Sequence, residues 1–233
     1  MKQLTVMLIL TLAVKVVMSQ ETPKQQLPFK VFEEKLKAAG AHAQILDARS
    51  EEEYQQNHIK CAQSVPDEKE FQRITAHLSK NKPVFVYSIG NGRSGILANH
   101  LTKLGFKNVY EFPGGLSKWI GLGHPVESTV GEGLTLSEFN HQIISDKLVL
   151  VDVSSRYCGG CKKLKPVVEE VANTHQERLK LVNIEAYDNK QLTQQLAVEG
   201  LPTLILYKGQ NVVWKKRGIS SKEEILAQVS KYQ

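Results

Sequence analysis

The chain has 233 residues, of which 41% are hydrophobic and 23% charged, and its formal net charge is +6. This composition is typical of a globular protein and excludes a disordered or collagen-like chain, and the length suffices for two small domains. Lysine and arginine are scattered without a basic cluster, which argues against a nucleic-acid-binding protein.

The N-terminus has the pattern of a secretory signal. Lys2 precedes an apolar run over residues 4–14, and the small residue Ser19 suits a signal-peptidase cut. The run is too short to span a bilayer comfortably, so a retained membrane anchor is the less favoured alternative. We therefore expect residues 1–19 to be removed and the mature protein, which has no second apolar span, to be soluble and periplasmic or otherwise exported.

The first half of the chain predicts an α/β domain over residues 29–127. Its predicted strands are residues 43–46, 84–87 and 109–112, and its predicted helices are residues 51–57 and 94–104. The second helix is expected to turn Ile96, Leu97, Leu101 and Leu104 inward. Strands that alternate with helices imply a parallel sheet with helices on its faces.

The small and polar stretch ESTVGEG follows, and within it residues 128–133 are the predicted linker. A second α/β domain is predicted over residues 134–233. Its predicted strands are residues 148–153, 181–184, 203–207 and 212–216, and its predicted helices are residues 137–144, 161–172, 189–197 and a last one after Ser221. Ser221 and Glu224 have the spacing of a capping box.

The chain has three cysteines, too few for a disulfide-stapled scaffold, and two of them form a CxxC pair. Cys158 follows a predicted strand and opens a predicted helix, where unpaired N–H groups stabilise a thiolate. Cys161, one turn later, is placed to attack a mixed disulfide on Cys158. The pair therefore predicts thiol–disulfide exchange. A zinc site and an inert pair are the alternatives, although the other half of a zinc site is missing.

The segments LVLVDVSSRYCGGCKKLKP and VEGLPTLILYKGQ resemble the thioredoxin family, and the likeness covers residues 134–233. The resemblance implies a thioredoxin fold that needs no cofactor or metal. It implies that Asp152 is a buried acid that exchanges a proton with Cys161, whereas a water-exposed carboxylate is the alternative. It also implies a cis peptide bond between Leu201 and Pro202 facing the dithiol. The residues implied to bind a client strand are Tyr157, Leu201, Pro202 and Thr203.

Three positions depart from the thioredoxin pattern. Tyr157 stands where tryptophan is usual, Gly160 replaces a proline, and Leu181 lies where a lysine is frequent. The reduction potential depends on the relative stability of thiolate and disulfide, so these changes leave open whether clients are reduced or oxidised.

The segments ILDARSEEEYQQNHIKCAQSVP and VFVYSIGNGRSG, with Gly114, Gly115 and Trp119, resemble a rhodanese domain over residues 45–126. The family's activity requires a cysteine at the first position of the loop, where this chain has Ser88, and an arginine at the sixth, which is present. A serine hydroxyl is barely ionised and cannot carry a persulfide, so we expect no sulfurtransferase activity at Ser88. The loop is a candidate anion-binding turn formed by Ser88, Ile89, Gly90, Asn91, Gly92 and Arg93. The alternative is a structural turn in which Arg93 forms a salt bridge.

Two further residues are interpreted structurally. Cys61 lies where the rhodanese family usually has glycine, and we expect a buried small apolar residue, with a mixed disulfide to the dithiol as the alternative. His58 is expected to support a turn.

The sequence as a whole predicts an exported thiol–disulfide oxidoreductase with an inactive rhodanese-like domain. Its expected partners are client proteins with cysteines or disulfides and a redox partner that recharges the dithiol, membrane-bound if the work is reductive. Two alternatives stay open: a binding module for a sulfur oxyanion or a protein, and a sulfur-transfer relay that uses Cys158.

Overall fold

The computed structural model describes residues 25–232. The predicted signal segment, residues 1–19, lies outside the described residues. Within residues 25–232, no helix is long and apolar enough to cross a membrane.

The first unit is built on a five-stranded parallel sheet with strand order β1-β6-β5-β2-β4. Its elements follow the chain as β1 (Gln25–Gln26), α1 (Phe29–Ala39), a short 3-10 helix (Gly40–His42), β2 (Gln44–Asp47), α2 (Glu51–Gln56), β3 (Asn57–His58), β4 (Ala62–Ser64), α3 (Glu68–Thr75), β5 (Val84–Tyr87), α4 (Gly92–Lys103), β6 (Val109–Glu111) and α5 (Gly115–Gly121). The central strand β5 is buried along its whole length, as its run of four apolar residues predicts.

The predicted linker begins as ordered structure. Strand β7 (Glu127–Ser128) pairs antiparallel with β3. The backbone N–H of Thr129 donates to the carbonyl of Gln56, and its hydroxyl donates to the carbonyl of Gln55. Residues 127–129 therefore belong to the first unit, where they form hydrogen bonds with α2 and β3.

The second unit is a four-stranded mixed sheet with strand order β11-β10-β8-β9, in which β8 and β9 are parallel and the other pairs antiparallel. Its elements are α6 (Leu136–Ile143), β8 (Leu148–Ser154), α7 (Gly159–Thr174), β9 (Leu179–Glu185), α8 (Lys190–Gln195), β10 (Thr203–Lys208), β11 (Asn211–Arg217) and α9 (Lys222–Lys231). Helix α7 begins and ends two residues outside its predicted bounds.

The predicted inward face of α4 is wrong in part. Leu97 and Leu101 are buried, but Ile96 is 60% exposed and Leu104 is 43% exposed. The buried row of this helix includes Ala98 and repeats every three to four residues, so Ile96 projects sideways from it. Leu104 lies beyond the last helical residue.

The capping box predicted for α9 is half formed. The hydroxyl of Ser221 accepts a hydrogen bond from the N–H of Glu224, as predicted. The Glu224 carboxylate, however, pairs with the ammonium group of Lys216 on β11. The carboxylate therefore ties the last helix to the edge of the sheet.

The two units share one hydrophobic core. Helix α5 of the first unit packs against α8 of the second. The shared cluster includes Phe112, Trp119 and Ile120 from the first unit and Tyr187, Leu192 and Val198 from the second. A Cβ at Gly121 would lie 1.9 Å from the carbonyl oxygen of Val198, so the two backbones touch at this point. Close packing thus fixes the position of each unit relative to the other.

Candidate active site

The dithiol lies at the junction between β8 and α7. Cys158 is the N-cap residue of α7, and its sulfur accepts a hydrogen bond from the N–H of Cys161 at 3.2 Å. Cys158 and Cys161 are joined as a disulfide with a Cα–Cα separation of 5.2 Å, and both are buried. A thiolate at Cys158 would keep this N–H donor and gain the positive end of the helix dipole. This position favours a thiolate at the first cysteine, and its role as the attacking thiol stays a prediction.

Asp152 lies within β8 and is 2% exposed, so the exposed-carboxylate alternative is wrong. Burial raises the pKa of Asp152 to about 6; a hydrogen bond with Ser154 opposes this shift and the negative charge of Glu169 adds to it. One of its carboxylate oxygens has no hydrogen-bond partner within the described residues. A carboxyl with such a pKa can both take and release a proton near neutral pH.

The segment that precedes β10 packs against the dithiol. The Leu201–Pro202 peptide bond is cis, as the resemblance implies. A Cβ at Gly160 would lie 3.2 Å from Cδ of Pro202 and 3.9 Å from the sulfur of Cys158. The absence of a side chain at Gly160 therefore lets the cis proline lie close to the sulfur of Cys158.

The four predicted client-binding residues do not all face the same space. Tyr157 and Leu201 line the cavity described below, whereas Pro202 and Thr203 are buried behind it. The Pro202 carbonyl accepts from the N–H of Gly218, and the Thr203 hydroxyl donates to the carbonyl of Gly200 at 2.6 Å. Thr203 thus supports the turn from within the sheet.

Tyr157 connects the active-site loop to the first unit. Its hydroxyl donates to Oε1 of Glu52 on α2 at 2.7 Å. Burial, together with this hydrogen bond, raises the pKa of Tyr157 to about 12. The residue directly before Cys158 is therefore held by the neighbouring domain.

Hydrogen bonds and a close backbone contact support the loop over residues 88–93. Ser88 is buried, and its hydroxyl lies 3.1 Å both from the carbonyl oxygen of Gly90 and from the hydroxyl of Ser94. Ser94 donates in turn to the buried carboxylate of Glu111 at 2.7 Å. A Cβ at Gly115 would lie 2.5 Å from the carbonyl oxygens of both Ser88 and Gly90. The loop closes over Gly115 and holds Ser88 in hydrogen bonds, with no histidine among the partners.

Arg93 forms the salt bridge of the structural alternative. Its guanidinium binds both carboxylate oxygens of Glu53, at 2.5 and 2.8 Å. Glu53 is 2% exposed and also completes the capping box of α2 with Ser50. The backbone N–H groups of residues 89–93, by contrast, have no acceptor among residues 25–232.

The loop and the dithiol open onto one cavity of about 610 Å³ between the two units. The first unit contributes the whole loop together with Pro113, Gly114, Ser117 and Lys118. The second unit contributes residues 157–160, 199–201, Arg217 and Gly218. The sequence connected the loop with the dithiol only in the alternative of a sulfur-transfer relay, and it gave no indication of Glu52, Lys118 or Arg217.

Cys61 is exposed, so the expectation of a buried residue is wrong. Its backbone has φ of +64°, a left-handed conformation that glycine adopts without strain and cysteine adopts only at a cost. Cys61 is free in this structure. His58 stacks on Tyr54 and contacts Glu127, consistent with a structural role.

Comparisons with known proteins match both halves of the chain. A family model described as a rhodanese-like domain matches residues 30–122, and one described as thioredoxin matches residues 131–231. A thioredoxin of Alicyclobacillus acidocaldarius is 36% identical over 97 residues, which are 42% of this chain and 92% of that protein. A thioredoxin of Pseudomonas aeruginosa is 36% identical over 95 residues, which are 40% of this chain and 88% of that protein.

Among solved structures, a mutant thioredoxin from Halobacterium salinarum is 25% identical, with a TM-score of 0.40, and the match covers 43% of this chain and 87% of that one. The residues matched by the thioredoxin model, 131–231, include the CGGC dithiol, the buried acid and the cis proline. The chain therefore belongs to the thioredoxin family, as a thiol–disulfide oxidoreductase that carries a rhodanese-like domain ahead of its thioredoxin domain.

Proposed function

We propose that the protein exchanges electrons between the Cys158–Cys161 dithiol and the cysteines of exported client proteins. The observation that carries the proposal is the position of Cys158 as the N-cap of α7, with the N–H of Cys161 on its sulfur. This arrangement stabilises the thiolate of Cys158 relative to an ordinary thiol.

In the reducing direction the exchange has two steps. The Cys158 thiolate attacks a client disulfide, forms a mixed disulfide and releases one client thiolate. Asp152 then takes the proton of Cys161, whose thiolate attacks the sulfur of Cys158, closes the protein disulfide and releases the second client thiolate. The two client thiolates take up the protons that the dithiol has lost. The oxidising direction is the reverse of these steps.

The test is insulin reduction by the full-length protein with dithiothreitol as the recharging reductant. We expect Cys158→Ala to fall to the background rate of dithiothreitol alone and Cys61→Ala to keep the unmodified protein's rate. A Cys158→Ala protein that retains the full rate would overturn the proposal. Equilibration of the dithiol with glutathione would then distinguish a reductant from an oxidant.

The proposal includes a rhodanese-like domain without sulfurtransferase chemistry of its own. Ser88 is supported as a structural residue by its hydrogen bonds to Gly90 and Ser94. The domain then serves to recognise the partner of the dithiol. Its proximity to Cys158 in the shared cavity supports this role.

The shared cavity also favours a second candidate function, a sulfur relay. Here the Cys158 thiolate attacks the outer sulfur of thiosulfate, sulfite leaves, and cyanide removes the sulfur from the Cys158 persulfide as thiocyanate. Thiocyanate formation that is lost in Cys158→Ser would support the relay. A background rate in the unmodified protein would eliminate it.

Export is proposed from the N-terminal sequence alone. Expression of the full chain in a Gram-negative host, followed by osmotic shock and intact-mass analysis, is the test. The proposal expects a periplasmic species that begins at Gln20. A membrane-bound species that retains residues 1–19 would contradict it.

A further inference from the structure

The cavity between the two domains indicates what kind of client the dithiol accepts. We propose that loop 88–93 and Lys118 of the rhodanese-like domain form a second wall of the dithiol's client site, and that this site selects disulfides carried on extended, acidic segments. The inference rests on the proposed function and names the class of client that the dithiol would accept.

The wall is fixed in place by contacts on several sides. Tyr157 donates to Glu52, the side-chain amide of Gln56 donates to Asp188, and the side-chain amide of Asn57 donates to the carbonyl of Tyr187 at 3.2 Å. The backbone contact at Gly121 and the shared core add to these bonds. A client that reaches Cys158 through the cavity must therefore pass the rhodanese-like loop.

The size of the cavity restricts the shape of the client. A volume of about 610 Å³ is in the range of small-ligand pockets, and an extended peptide of a few residues fills such a space. The convex surface of a folded protein does not enter it. The cavity therefore fits a client segment that is extended around its disulfide.

The charge of the cavity restricts the composition of that segment. Three cationic side chains line the cavity, Arg93, Lys118 and Arg217, against one carboxylate, Glu199. Glu53 neutralises Arg93, whereas Lys118 and Arg217 form no ion pair within the described residues. Lys118 comes from the rhodanese-like domain and Arg217 from β11, so both walls attract carboxylates.

The charge test uses two synthetic disulfide peptides that differ only in carrying aspartate or asparagine beside each cysteine. The second-order rate of oxidation of the reduced full-length protein is measured at low and high salt. We expect the aspartate peptide to react about fivefold faster at low salt, and salt to remove the preference. Lys118→Gln and Arg217→Gln should each reduce the ratio, whereas Lys103→Gln, an exposed control on α4, should not.

The wall test uses the space at Gly90, which lines the cavity and where an added Cβ would meet no atom within 4 Å. Gly90→Trp should fold normally and slow the reaction with either peptide about tenfold by filling the cavity. Gly131→Trp, in the linker, where an added Cβ likewise meets no atom within 4 Å, is the matched control and should react at the unmodified rate.

The outcomes separate this inference from the proposed function. If neither disulfide peptide oxidises the reduced protein, and neither reduced peptide reduces the oxidised protein, the proposed function fails. If both peptides react at one rate, or if the lysine and arginine variants leave the ratio unchanged, the acidic preference is overturned. If Gly90→Trp reacts as fast as Gly131→Trp, loop 88–93 is not part of the client site. The proposed thiol–disulfide exchange is unaffected by that result.

Discussion

Replacing Asp152 with asparagine should stabilise the folded protein at neutral and alkaline pH. Asp152 is buried, and its pKa rises from an ordinary value of 3.8 to about 6 in the fold. This difference corresponds to about 3 kcal/mol between the two protonation states, because each pKa unit is worth about 1.4 kcal/mol. Ionisation of Asp152 therefore lowers the stability of the folded state by about 3 kcal/mol. The uncharged asparagine does not have this cost.

The sign of the pH dependence follows from proton linkage. Between pH 4 and 6 the folded state holds a proton on Asp152 that the unfolded state has already released, so the free energy of unfolding falls as pH rises. Below pH 4 both states are protonated and the loss vanishes. Above pH 6 both states are ionised and the loss is complete.

Urea unfolding of the oxidised protein at pH 4 and pH 8 measures this effect. We expect the difference between Asp152→Asn and the unmodified protein to shift by about 3 kcal/mol in favour of the variant on going from pH 4 to pH 8. Asp146→Asn, at an exposed position, is the matched control and should show no such shift. The two proteins differ in their free energy of unfolding. If this difference is the same at pH 4 and at pH 8, Asp152 is not a buried, destabilising carboxylate.

Three further predictions concern the loop, the free cysteine and the domain junction. Gly115→Ala should lower the free energy of unfolding by about 2 kcal/mol or more, because its Cβ would lie 2.5 Å from two carbonyl oxygens and its φ is +60°. Gly90→Ala is the control. Equal urea midpoints for the two variants would contradict the close contact at Gly115. Cys61→Gly should raise the free energy of unfolding by about 1 kcal/mol relative to Cys61→Ala, because glycine adopts a φ of +64° without strain; a more stable alanine variant would contradict this conformation. Glu52→Ala should lower the pKa of Tyr157 from about 12, because the variant removes the acceptor of the tyrosine's hydrogen bond. The pKa is measured by an absorbance titration, with Tyr157→Phe as the reference. An unchanged pKa would show that the contact between Tyr157 and Glu52 is absent in solution.

Much of the site could be predicted from the sequence because its parts are local. The four apolar residues of β5 predict a buried strand, and a cysteine in the short loop between a predicted strand and a predicted helix predicts an N-cap position on α7. The buried strand and the N-cap position both depend on residues that are close neighbours in the sequence. The cis bond before Pro202 depended on resemblance to a family, since proline alone favours the trans form.

The parts that could not be predicted depend on contacts between distant segments. Glu53 and Arg93 lie 40 positions apart, and Glu52 and Tyr157 lie 105 apart, so no local pattern connects them. The shared cavity follows from the packing of α5 on α8, which periodicity alone does not reveal. Cys61 shows the same limit at one residue, because its exposure follows from a turn conformation and not from its apolar character.

The most direct test of the central claim is to trap the mixed disulfide on Cys158. The reduced Cys161→Ser protein lacks the thiol that resolves the intermediate, so its reaction with a disulfide peptide should leave one peptide attached to Cys158, as located by peptide mapping. The Cys158→Ser protein should accumulate no such adduct on Cys161 at a comparable rate, because that sulfur is not the helix cap. An adduct that forms only on Cys61, or no adduct at all, would contradict thiol–disulfide exchange through this dithiol.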